Sequence, residues 1–279
     1  YVSGPLVLSA WILRIPILIH EQNSIPGLTN KWLGKVADKV AVSFKESAKF
    51  FSKDKVELTG NMIREEFCQP RESFPKGPRG LFRVLVLGGS QGAHSINVAM
   101  VEALESLASK KGNIHITHQT GESDFEMVKR EYENSGLSHD VRPFIDGMAE
   151  QYRKASLVVC RAGATTLAEV TACGKVSVLI PYPHAAHNHQ EKNARVLDAA
   201  DAGELVLDQE LSGPRIAQSI LHAMDNPERM EEMEENSYQL GNRDATEKVR
   251  QICMELLEDA TPKSGHAGKT QGNYVLSCF

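Results

Sequence analysis

Two short segments combine glycine, small residues and hydroxyls in a way that suits an anion. The first is Gly88-Gly89-Ser90-Gln91-Gly92-Ala93, which follows the apolar run Val84 to Leu87 and opens a helical pattern. Glycines let a backbone come close to a phosphate, and free amides at a helix start attract negative charge. Ser90 adds a hydroxyl donor. The spacing is not the GxGxxG of dinucleotide-binding loops. A plain tight turn between strand and helix explains the same residues.

The second segment is Arg161-Ala162-Gly163-Ala164-Thr165-Thr166-Leu167-Ala168-Glu169, again between an apolar run and a helical pattern. Its small residues keep the loop open. The amides of Ala164 to Leu167 are expected to point at a diphosphate. Glu169, one turn in, is placed to accept two hydrogen bonds from ribose hydroxyls. Thr166-x-x-Glu169 is equally a capping box, in which Glu169 only satisfies the helix start. Sequence alone leaves the two readings level.

Two further clusters are polar. Pro181-Tyr182-Pro183-His184 runs on to His187, His189, Gln190 and Asn193. The histidine spacing lacks a helical i,i+4 pair and no carboxylate sits among them, so a metal site is not expected. A loop that reads sugar hydroxyls fits better, with Gln190 and Asn193 on one helix face. His20-Glu21-Gln22-Asn23 follows a strand expected over Ile15 to Ile19, where α/β folds place ligands. A capped, solvated loop is the plainer alternative.

These segments need elements to hold them. The apolar runs Val84–Leu87, Ser156–Cys160 and Val176–Pro181 alternate with helical patterns, which predicts parallel strands with crossover helices and a sheet covered on both faces. Leu6 to Ile19 is strongly apolar, but Arg14 and Pro16 interrupt it. It reads as a short buried helix and a strand, not as a membrane span of ~20 apolar residues. Three prolines and two glycines within 69–83 mark a linker. The expected division is residues 1–68, a linker at 69–83, a second domain at 84–240, a C-terminal helix at 241–259 and a disordered tail at 260–279.

The 279 residues are 41% hydrophobic and 24% charged, enough for two modest domains with real cores. A net charge of -5 argues against a general nucleic-acid binder. The five cysteines are odd in number and widely spaced with no CxxC, which favours a reducing compartment over a disulfide framework. Cys160, at the end of an apolar run, reads as a small core residue.

Taken in order, the chain reads YVSGP, HEQN-x-IPGLTN, GN-x-x-R, GGSQGA, HQTG, PFID, RAGATTLAE and P-x-P-H…Q-x-x-NA. This series, from Tyr1 to about Leu257, resembles the UDP-N-acetylglucosamine:undecaprenyl-pyrophosphoryl-muramoyl-pentapeptide N-acetylglucosaminyltransferases, the MurG family. The resemblance implies an α/β, GT-B fold of two Rossmann-like domains, the first here incomplete. It implies an inverting hexosyl transfer in peptidoglycan synthesis, and so in cell wall biogenesis, cell shape and division. The donor is UDP-N-acetylglucosamine, the acceptor is the undecaprenyl-linked lipid I, and the product is lipid II. The first domain would take the acceptor and the second the donor. No cofactor and no metal take part. The implied location is peripheral, on the cytoplasmic face of the plasma membrane.

By the same resemblance, Asn23 would touch the donor sugar and Arg64 of GN-x-x-R would lie at the domain junction near the nucleotide. Ser90 would bind the diphosphate, and Ile145 of PFID would hold uracil through its backbone. Ala164, Thr165, Thr166, Leu167 and Ala168 would cradle diphosphate and sugar, with Glu169 on the ribose and Gln190 on sugar hydroxyls. The chain starts at Tyr1 and lacks the family's GGTGGH-type loop, which carries the proposed general base. The expectation is a truncated chain, its catalytic base unassigned, that binds donor and transfers slowly. The rivals are a non-catalytic UDP-sugar-binding fragment and another GT-B glycolipid glycosyltransferase.

Overall fold

The computed structural model describes residues 3–70 and 80–260, the side chain at 187 apart. The expected tail at 260–279 lies outside these residues except for Ala260, as does most of the expected linker. The chain runs through α1 (Ser3–Ile12), β1 (Leu18–Glu21), α2 (Leu28–Val36), β2 (Lys39–Val42), α3 (Lys45–Ala48), β3 (Val56–Leu58), β4 (Phe82–Leu87) and α4 (His94–Leu107). It continues through β5 (Ile114–Gln119), α5 (Phe125–Ser135), β6 (Ser138–Arg142), α6 (Met148–Lys154), β7 (Leu157–Cys160), α7 (Ala164–Ala172) and β8 (Val176–Leu179). The last elements are α8 (His189–Ala199), β9 (Gly203–Leu205), α9 (Gly213–Asp225), α10 (Pro227–Leu240) and α11 (Ala245–Ala260).

Two compact units result, one of Tyr1–Met62 with Asp244–Phe279, the other Ile63–Arg243. Ile63 to Cys68 therefore go with the second unit, ahead of the division expected at 69–83. The C-terminal helix goes with the first unit.

The first unit holds a parallel sheet in the order β1-β2-β3, with Leu18 opposite Lys39 and Val40 opposite Val56. Ile17, Ile19, Leu33, Ala37, Val40 and Val42 form its core. β1 extends through Glu21, so His20 and Glu21 belong to the strand and not to the loop after it. The helix expected near Leu6 is present but not buried: Leu8, Trp11 and Ile12 are 49%, 55% and 72% exposed. Only Val7 and Ala10 pack on the core, because the helix is apolar all round and can turn one side inward.

In the second unit six strands lie parallel in the order β6-β5-β4-β7-β8-β9. The central strands are buried along both faces, as their continuous apolar sequence requires. Val84, Val86, Ile114, Ile116, Val159 and Val178 pack in one cluster with Ile96, Met100 and Ala103 of α4 and Ile216 and Ile220 of α9. Cys160 is fully buried among the strands. The chain starts at β4, steps outward through β5 and β6, then returns to β7 on the other side and steps out through β8 and β9. The order reverses between β4 and β7, and open α/β sheets bind ligands beyond the carboxyl ends of the strands at such a point.

Candidate functional site

The two anion-suited segments flank this reversal. β4 ends at Leu87 and leads into Gly88 to Ala93, and β7 ends at Cys160 and leads into Arg161 to Gly163. A cavity of about 1000 Å³ opens there. Every strand of the sheet contributes to its wall, from Gly89 and Ser90 after β4 to Asp208 after β9. Arg64, Ser90, Ile145, Thr165, Thr166, Glu169 and Gln190 are brought together in this lining.

The loop after β4 is shaped by glycine. Gly92 has φ +78°, and a Cβ there would lie 1.9 Å from the Thr120 carbonyl oxygen. Backbone touches backbone, so only hydrogen fits. Behind the loop lies a buried chain of polar groups. Asn97 donates to the Thr120 carbonyl at 2.9 Å and to Asp124 at 2.7 Å, while His118 bridges Asn97 and the Tyr132 hydroxyl at 3.0 and 3.1 Å. Burial drives the His118 pKa down to about 3, so the ring is neutral with one donor and one acceptor nitrogen.

The loop after β7 is held by one side chain. The Arg161 guanidinium donates to the carbonyls of Ile180 and Pro181 at 3.2 and 3.0 Å, to Asp208 at 2.8 Å and to the Ser95 hydroxyl at 2.8 Å. It also sits 5.5 Å from the Tyr182 ring centre. Helix α7 starts at Ala164 with Gly163 as its N-cap and no side-chain cap. The capping box is therefore not formed, and Glu169 is not a cap. The Leu167 amide donates to Gly163 and its side chain is buried. The amides a helix start leaves over are those of Ala164, Thr165 and Thr166, not that of Leu167. Of this segment Arg161, Gly163, Thr165, Thr166 and Glu169 line the cavity, whereas Ala164, Leu167 and Ala168 do not.

Glu169 faces the cavity at 15% side-chain exposure, 4.0 Å from Arg64. Burial raises its pKa to about 7, against the lowering effects of Arg64 and a hydrogen bond with Tyr152. Arg64 also pairs with Glu66 at 3.0 Å and lies over the Phe67 ring. The Gln190 amide oxygen accepts from the Tyr182 amide at 2.9 Å, which ties the Pro181–His184 loop to α8. Ile145 is buried, and its amide donates to Gln119. Among the described residues no group of three His, Cys, Asp or Glu side chains is arranged to hold a metal.

Asn23 lies in the first unit, just after β1. There the buried Glu21 carboxylate accepts from the Asn23 amide at 2.9 Å and from Asn30 at 2.8 Å. The Glu21 of this motif thus shapes its own turn. His20 reaches the Gly60 carbonyl and the Ser43 hydroxyl at 3.1 and 3.2 Å, and burial lowers its pKa.

Gln119, Tyr152, Asp208 and Ser95 also shape the site, although no local motif gives them a role. Gln119 and Asp208 follow from strand order, since each ends or follows a strand whose carboxyl end meets the cavity. Nothing in the sequence pairs Tyr152 with Glu169, because that contact spans two helices.

The Glycosyltransferase family 28 C-terminal domain matches residues 83–249, and the family's N-terminal domain matches residues 1–42. A relative from Geobacter sulfurreducens named UDP-N-acetylglucosamine--N-acetylmuramyl-(pentapeptide) pyrophosphoryl-undecaprenol N-acetylglucosamine transferase is 49% identical over 89% of this chain and 69% of its own length. One of the same name from Anaeromyxobacter sp. (strain K) is 46% identical over 92% of the chain and 67% of its own. The crystal structure of Acinetobacter baumannii MurG superposes with a TM-score of 0.76 at 32% identity, over 91% of this chain and 72% of that one. A UDP-GlcNAc 2-epimerase from Neisseria meningitidis, bound to UDP-GlcNAc, shares the fold at 14% identity and TM-score 0.62. The fold class is α/β with parallel, Rossmann-like sheets, of the GT-B kind. The chain belongs to glycosyltransferase family 28, the family of these N-acetylglucosamine transferases.

Proposed function

We propose that this chain transfers N-acetylglucosamine from UDP-N-acetylglucosamine to lipid I, giving lipid II with inversion at the anomeric carbon. The observation that carries the reading is the cavity at the sheet's reversal point, where two glycine-bearing loops and Glu169 face one space. The α7 amides of Thr165 and Thr166, which border the cavity, and the Ser90 hydroxyl take the diphosphate. Glu169 accepts from the ribose hydroxyls, Arg64 lies near the nucleotide, and the backbone at Ile145 reads the uracil. Gln190 and the loop it ties meet the sugar. The first unit takes the acceptor, and Asn23 touches the donor sugar during transfer. The chemistry asked of these groups is positioning and charge stabilisation of the leaving UDP.

The acceptor is lipid-borne, and the first unit has a surface suited to a membrane. Leu8, Trp11, Ile12 and Leu13 on and after α1 and Leu28 and Trp32 on α2 are exposed, and Lys35 stacks on Trp32 at 4.0 Å. Apolar and aromatic groups edged with cations suit an interface of anionic lipid. No helix among the described residues is long and apolar enough to cross a membrane. We place the chain peripherally on the cytoplasmic face of the plasma membrane.

The test is calorimetry of UDP-N-acetylglucosamine and UDP-glucose binding, followed by lipid I-dependent release of UDP. Preference for the N-acetylated donor is the expected result. Equal affinity for both sugars would favour another GT-B glycolipid transferase, and no binding of either would end the reading.

A further inference from the structure

Strand β5 lies between β4 and β6, so a side chain at its carboxyl end can reach the loops of both neighbours. Gln119 is that residue, and it reaches both. Its amide nitrogen donates to the Gly89 carbonyl at 2.9 Å, and its amide oxygen accepts from the Ile145 amide at 2.9 Å. Gly89 stands in the loop assigned to the diphosphate, and Ile145 in the loop assigned to the base. Gln119 is only 3% exposed, yet it borders the cavity.

We propose that Gln119 is a positioning residue that fixes the distance between the base-reading loop and the phosphate-reading loop, so that a nucleoside diphosphate is recognised as one rigid unit. This rests on the nucleotide reading of the cavity. A bifunctional ligand gains when its second contact is already in place once the first is made, and that gain disappears if the two sites move independently. Both bonds of Gln119 are to backbone groups, so the tie does not depend on which side chains the two loops carry. Neighbouring contacts point the same way. Thr120 and Gly121 donate to the carbonyls of Arg142 and Pro143 at 3.0 Å each, and the Gly92 backbone abuts Thr120. These bonds fix the chain around β5, but only Gln119 links Gly89 to Ile145 among the described hydrogen bonds.

Two substitutions isolate the tie. Gln119→Met keeps length and volume and removes both bonds. Gln119→Glu keeps the acceptor for Ile145 and sets a carboxylate against the Gly89 carbonyl, since it has no amide to donate. Uridine, UMP and UDP are titrated against the whole chain and both variants by calorimetry, with thermal melts alongside. In the Met variant UDP is expected to weaken about tenfold and uridine about twofold or less, because the loss falls on the linkage between the two halves. In the Glu variant uridine is expected to bind as in the parent, with UDP again weakened. Unchanged UDP affinity in both variants overturns the proposal. So does an equal loss for uridine and UDP, which would make Gln119 a support for the base loop alone. If the Met variant does not fold, the Glu variant carries the test with inorganic pyrophosphate titrated alongside, because repulsion by its carboxylate weakens pyrophosphate and UDP alike, whereas loss of the tie weakens UDP alone. Failure of the parent chain to bind UDP would instead overturn the nucleotide reading itself.

Discussion

The loops after β4 and β7 both present a helix start to the same cavity, and they are held there by opposite means. The first is held by the absence of side chains: Gly92 lets two backbones touch, with the Asn97–His118–Tyr132 chain behind it. The second is held by the presence of one: Arg161 gathers two carbonyls, Asp208 and Ser95. Gly163, the corresponding glycine of the second loop, has φ -68° and ψ 144°, and a Cβ there would meet nothing nearer than 3.8 Å. A glycine in a motif therefore says little until its conformation and neighbours are known.

One methyl group added to each loop should affect the two very differently. Gly92→Ala forces an alanine into positive φ, costing about 1–2 kcal/mol before any clash, and drives its Cβ into a carbonyl oxygen. A melting point lower by roughly 2–8 °C is expected from the backbone cost alone, at about 2–4 °C per kcal/mol for a unit of this size, and by more once the clash is added. Gly163→Ala should move it by under ~2 °C, because its conformation is already accessible to alanine. Equal losses from the two would erase the distinction.

Acidity separates the loops next. The native pKa of His118 lies at about 3, below its unfolded value, so the native state binds fewer protons between that value and 6.5. Stability from His118 is present above the unfolded pKa and is lost as pH falls through the window. Glu169 runs the other way, since its native pKa of about 7 exceeds the unfolded 4.5. Its burial costs stability as pH rises through that range, and Glu169→Gln should flatten this component. A carboxylate that accepts ribose hydroxyls must be ionised, so UDP affinity should rise about tenfold from pH 6 to pH 8 as the competent fraction grows. Calorimetry across that range checks it. The Gln variant should show weaker binding and no such slope, and a parallel slope in both proteins would acquit Glu169.

The smallest effect concerns Ser90, which borders the cavity from the first loop. Ser90→Ala removes one hydroxyl donor, worth about 0.5–1.5 kcal/mol, or a few-fold in UDP affinity by titration. A loss of a hundredfold would mean that the first loop, too, relies on a side chain.

Much of this was legible in the sequence because it is local. The apolar runs ending at Leu87 and Cys160, each followed by glycine and small residues, placed strand, loop and helix in order. The roles that stayed hidden depend on pairs distant in sequence. Arg161 meets Asp208 through three neighbouring strand ends, and Glu169 meets Tyr152 across two helices. The capping box Thr166-x-x-Glu169 was a fair local pattern, but the helix starts at Ala164, too early for Thr166 to cap it. Likewise, apolarity at Leu6 to Leu13 announced a helix but not its exposure, since hydrophobicity alone does not say what stands opposite.

That exposure has an optical consequence. The chain has two tryptophans, Trp11 and Trp32, at 55% and 66% exposure in the first unit. Neither lies in the second unit, so the indole emission of these 279 residues reports on the first unit. In water it should be red-shifted and readily quenched by iodide. On vesicles of anionic lipid it should move to the blue and lose its access to quencher, as indoles do when they leave water for the headgroup region. Nucleotide entering the cavity of the second unit has no tryptophan there to perturb, which gives the protein a built-in spectroscopic separation between lipid contact and donor contact.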